Sequence, residues 1–64
     1  MPDIQINNHS SILIFVPRTE TGMEWMHENL PSSAMRWAGG IVVEPRYAAD
    51  IVNGAIEDGL QVEG

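Results

Sequence analysis

The chain has 64 residues, 44% of them hydrophobic, with nine acidic residues against three basic ones, a net charge of −6 and no Cys. A chain this short buries only about 60% of the surface it exposes when unfolded, so residues 1–64 are read as one small domain with a thin core and no disulfide staple. The acidic balance argues against direct binding of nucleic acid or anionic membrane through a basic patch, and the longest apolar run, Ile12 to Val16, falls far short of a membrane span.

Asp3-Ile4-Gln5-Ile6 alternates polar and apolar residues, the pattern of a half-buried strand, and Asn7-Asn8-His9-Ser10 is a cluster of turn formers. The two predict a hairpin into Ser11 to Val16. That strand is apolar on both faces, with Ile12, Ile14 and Val16 on one side and Leu13 and Phe15 on the other. Pro17 cannot donate to a sheet ladder and ends it. Thr19 or Thr21 can cap the following helix, and Thr21-Gly22-Met23-Glu24 has the spacing of a capping box. The helix runs to about Glu28, with Met23, Met26 and Leu30 on one face and Trp25 roughly opposite. Asn29 suits a left-handed C′ position, and Pro31 prevents continuation.

Ser32-Ser33 reads as a connector, Ala34-Met35-Arg36-Trp37 as a strand, and Ala38-Gly39-Gly40 as a hairpin loop into Ile41-Val42-Val43. A single strand with a glycine bulge is the alternative. Pro45 fits the first position of a second helix. Its apolar arc comprises Tyr47, Ala48, Ile51, Val52, Ala55 and Ile56, with Asp50, Asn53 and Glu57 opposite. Gly54 lowers its helix propensity by about 1 kcal/mol relative to Ala but allows close approach. Gly59 ends it at C′, Leu60 supplies the accompanying apolar contact, and Leu60-Gln61-Val62 is a final edge strand. The expected architecture is therefore α+β, two layers: a small mixed sheet of four or five strands with two helices. The repetition of Pro-Arg at 17–18 and 45–46 suggests a duplicated ββα unit closed by the last strand.

Phe15-Val16-Pro17-Arg18-Thr19, Glu24-Trp25 with Glu28-Asn29, and Gly40-Ile41-Val42-Val43-Glu44-Pro45-Arg46-Tyr47-Ala48-Ala49-Asp50 together resemble small uncharacterised acidic proteins encoded by bacteria, especially alphaproteobacteria, and by their phages. The resemblance spans Ile12 to Leu60. It implies a cytoplasmic accessory or phage-derived protein and carries over no catalytic or binding residue.

The residues that could bear chemistry are few. Arg18 and Arg46 each follow a Pro at a strand-to-helix switch, where a helix N-terminus also favours anions. The plainer reading is that each pairs with nearby acids such as Glu20, Glu44 or Asp50, or lays its stem over the core. Glu24-x-x-His27 has a metal-site spacing, but the second helix supplies no matching His. Ser10, Ser11, Ser32 and Ser33 lack the elbow motif of a nucleophile. No enzyme activity and no cofactor is expected. Trp25, off its helix's apolar face, and the two-sided strand carrying Leu13 and Phe15 point instead to an interaction surface. The leading expectation is a noncatalytic, cytoplasmic protein-interaction module that forms a homodimer. An acidic phage or mobile-element factor binding a basic host protein is the first alternative, and a small-anion binder using Arg18 and Arg46 is the second.

Overall fold

The computed structural model describes residues 1–30, 36–37 and 39–64, with Trp37 described by its backbone. The elements are β1 (Ile4–His9), β2 (Ile12–Pro17), α1 (Glu20–Asn29), β3 (Arg36–Trp37), β4 (Gly40–Val43), α2 (Pro45–Glu57) and β5 (Val62–Glu63). They build an α+β fold in which the strands form one mixed sheet in the order β3-β4-β2-β1-β5. Neighbours pair antiparallel except β1 and β5, which run parallel. The element order ββα, ββα, β follows the expected one. The two Pro-Arg pairs nevertheless occupy different places, since Pro17 is the last residue of β2 and Pro45 the first of α2. The expected connector at Ser32-Ser33, the Ala34-Met35 half of the expected strand and Ala38 lie outside the described residues.

β1 runs three residues beyond the alternating segment, and the hairpin turns at Ser10-Ser11, because His9 faces Ile12. Ser10 has a φ of 68°, the left-handed value that two-residue hairpin turns need, and its N–H donates to Asn8 Oδ1 at 2.9 Å. In the second hairpin Trp37 faces Gly40, so Gly40 belongs to β4 and not to the loop. The reason is packing. A Cβ on Gly40 would lie 2.7 Å from Ile14 Cγ2 and 2.7 Å from the Phe15 carbonyl oxygen.

Register fixes the two faces of the sheet. Ile6 lies opposite Phe15 and Ile4 opposite Pro17, while Phe15 faces Ile41 and Leu13 faces Val43. These residues share the face that both helices cover. Ile4, Phe15, Ile41 and Val43 form one core with Trp25 and Met26 of α1, Ala48 and Ala55 of α2, and Leu60. Full burial of a side chain such as Ile4 or Phe15 contributes about 1.5–3 kcal/mol. With so few such residues, the core is thin for its chain.

Thr19 is the N-cap of α1, its hydroxyl accepting from Gly22 N–H at 3.0 Å. Thr21 is inside the helix, so the capping box expected there does not form. The buried face is Gly22, Trp25 and Met26, and Met23, expected inside, is 59% exposed. Gly22 sets this rotation. Its α-carbon packs against the backbone of Asp3, so closely that an added Cβ would meet the Asp3 carbonyl. Asn29 remains the last residue of α1, with its side-chain amide donating to the Trp25 carbonyl at 2.9 Å, and it takes no left-handed conformation.

α2 begins with Pro45 at its first position and ends as expected. Gly59, with φ of 88°, sends its N–H to Ile56 O at 3.0 Å, and Leu60 N–H reaches Ala55 O at 3.0 Å. This paired arrangement satisfies the last carbonyls of the helix and drops Leu60 into the core.

Candidate interaction surface

Trp25 is not an exposed anchor. The residue is 9% exposed within the core, and its ring rests over Gly54 of α2, whose lack of a side chain leaves room for it. Its indole N–H donates to Asp58 Oδ2 at 2.7 Å, tying α1 to the C-cap of α2. A buried indole needs such an acceptor. Phe15, 1% exposed, and Leu13 likewise pack on the helix side, so neither forms a free surface. The expected division of β2 holds, but its sides are reversed.

The helix-free face carries Ile12, Ile14 and Val16 of β2 and Val42 of β4, with Gln5, Asn7 and His9 of β1 beside them. Ile14 is fully buried and the face is closed over at that point. Ile12, Val16 and Val42 are half-buried, leaving three partly accessible apolar side chains around Ile14. Pairing with β1 borders them with polar groups along one side, which limits the apolar area.

Charge is divided between the layers. Glu20, Glu24 and Glu28 recur every fourth residue on the outside of α1, and Asp50 and Glu57 are exposed on α2. The sheet face has only Glu63 among the acidic residues of the strands, placed there by its pairing with Gln5.

The two Arg candidates do not meet. β2 and β4 are antiparallel, so Arg18 follows β2 at one end of the sheet while Arg46 follows β4 at the other. Val43 pairs with Leu13, five residues before Arg18, a distance of roughly 16 Å along a strand. Arg18 donates from Nε to Gln5 Oε1 at 2.8 Å. Arg46 pairs with Glu44 at 3.0 Å and lies 4.8 Å from the Tyr47 ring centroid. Both partners of that ion pair are exposed, and such pairs contribute about 0–1 kcal/mol. These local contacts account for both guanidinium groups.

Among the described residues no three His, Asp or Glu side chains come close enough to hold a metal ion, and no helix is long and apolar enough to cross a membrane. Two hollows of about 260 and 440 Å³ flank β4 and share Leu30 and Ile41 in their linings. Exposed Met23 lines the first and exposed Tyr47 the second. Comparison with protein-family models, with curated proteins and with solved structures gives no match, so no site is transferred from another protein.

Proposed function

We propose that the chain is a small noncatalytic interaction module that pairs with a second copy of itself through the helix-free face of its sheet. The observation that carries this reading is the set of half-buried apolar side chains Ile12, Val16 and Val42 around buried Ile14, on the side that neither helix covers. A two-layer fold gains by stacking such a face on another apolar layer. The charge division supports a like partner. Each copy carries a net charge of −6, and sheet-to-sheet approach keeps the carboxylates of both helices outward. The accessible apolar area is small, so the proposed dimer is a weak one in exchange with monomer.

Sedimentation equilibrium across protein concentration tests the reading. Reversible association is expected in the unchanged chain, and Val42→Lys, with its added ammonium on the face, abolishes it. A monomer at every concentration overturns the proposal.

A second reading has its own observation, the carboxylates Glu20, Glu24 and Glu28 on the outside of α1. They suit a basic protein surface, in keeping with an accessory factor of bacterial or phage origin acting in the cytoplasm. Salt separates the two. Self-association of acidic copies strengthens as repulsion is screened, whereas attachment to a basic partner weakens.

A further inference from the structure

β5 and the turn that precedes it are fastened through one residue. The N–H groups of Asp3 and Ile4 both donate to the Gln61 carbonyl, at 2.8 and 3.1 Å. Gln61 N–H donates back to Asp3 Oδ2 at 2.9 Å. The other carboxylate oxygen, Oδ1, accepts the Thr19 hydroxyl at 2.6 Å, and the same hydroxyl oxygen caps Gly22 N–H. The Asp3 carbonyl accepts from Arg18 N–H at 2.8 Å. Asp3 therefore joins β5, the start of β1 and the first turn of α1.

Apart from Leu60, which is anchored in the core and bonded to the Ala55 carbonyl, and half-buried Val62 packed against that core, little else holds that segment. β5 pairs with β1 only across Ile4 and Gln5, and within Leu60–Glu63 only Leu60 is buried. Segments with few buried contacts and few ladder bonds open locally before the whole domain unfolds. We propose that residues 60–63 form a strap that opens as a unit ahead of the rest of the sheet, and that the Asp3 carboxylate sets how often it opens. Opening bares the outer edge of β1 at Ile4 and Gln5, where backbone groups can pair with an added strand.

A carboxylate accepts from Thr19 and Gln61 at once. An amide in its place turns an NH₂ toward one of these two donors. Residue-resolved native-state amide exchange tests the strap. In the unchanged chain the amides of Asp3, Ile4 and Gln61 are expected to be at least about tenfold less protected than the hydrogen-bonded amides of β2. Asp3→Asn should lower their protection about tenfold further, as loss of a charge-assisted hydrogen bond does, and leave β2 unaltered. Equal protection of strap and β2 in the unchanged chain overturns the proposal, and that comparison stands even if the variant does not fold. So does a uniform acceleration of every amide in Asp3→Asn, which marks a general loss of stability.

Discussion

Two glycines inside helices receive opposite predictions for the same substitution. On an exposed helix, Gly→Ala stabilises by up to about 1 kcal/mol through propensity alone. At Gly54 of α2 the new Cβ would sit 3.6 Å from the Trp25 ring, an ordinary van der Waals contact, so the propensity gain should survive. At Gly22 of α1 the Cβ would come within 2.9 Å of the Asp3 carbonyl carbon and closer still to its oxygen. A backbone cannot swing aside as a side chain does. Relief requires α1 and the start of β1 to separate by roughly 1 Å, at an overpacking cost of about 1–3 kcal/mol. That movement also stretches the bonds from Arg18 N–H to Asp3 O and from Asp3 N–H to Gln61 O, each contributing about 1 kcal/mol. The clash outweighs the propensity, leaving Gly22→Ala less stable by about 2 kcal/mol. In a domain of this size 1 kcal/mol moves Tm by about 4–8 °C. Thermal unfolding followed by circular dichroism should therefore place Gly22→Ala about 10 °C below the parent and Gly54→Ala about 5 °C above it. A Gly22→Ala variant as stable as the parent would refute the packing of α1 on Asp3.

Trp25→Phe and Asp58→Ala should each cost about 1–2 kcal/mol, and the double variant should cost less than their sum because one hydrogen bond joins the pair; strict additivity in urea unfolding would show that the bond contributes nothing. Ser10→Gly should stabilise by about 0.5–1 kcal/mol, since Ser10 holds a left-handed φ that costs a side-chain-bearing residue more than Gly; a loss of stability would mean that the turn is built differently. The Thr19 hydroxyl first, and the Gln61 N–H second, hold the Asp3 carboxyl below its usual value of 3.8. A lowered folded-state pKa contributes stability that is present above the unfolded value and lost as pH falls through the folded one. The acid side of the Tm profile should therefore drop below about pH 4, and Asp3→Asn should remove that part of the drop; an unchanged profile in the variant would assign it to other carboxylates.

The second half of the fold was legible because its signals are local. Pro45 starts α2, Gly59 and Leu60 end it, and each does so through bonds within a few residues. α1 was read slightly rotated, since Met26 is buried and Leu30 packs on the core as expected but Met23 is exposed and Trp25 buried, and the reason is long-range. Met23, Met26 and Leu30 make a plausible apolar stripe, but Gly22 must face the Asp3 backbone and Trp25 finds its acceptor 33 residues away. Neither requirement appears in the periodicity of the helix. The sides of β2 were recoverable in principle. Ile4 and Ile6 are the apolar positions of β1, and a two-residue turn at Ser10-Ser11 brings Ile6 opposite Phe15, which assigns Phe15 and Leu13 to the core. A turn at Asn7 to Ser10 would set Ile4 opposite Leu13 and so give the same faces; the side of β2 was missed because the apolar side of β1 was not carried across the hairpin. Carrying it across moves the candidate surface from Leu13, Phe15 and Trp25 to Ile12, Val16 and Val42.

The central claim is self-association through the helix-free sheet face, and sedimentation equilibrium at low and moderate salt addresses it most directly. The predicted outcome is a mass rising with concentration from 7.1 kDa toward twice that value, a tighter association at moderate salt, and a monomer throughout for Val42→Lys. A mass that stays at 7.1 kDa at millimolar concentration in both salts would contradict it.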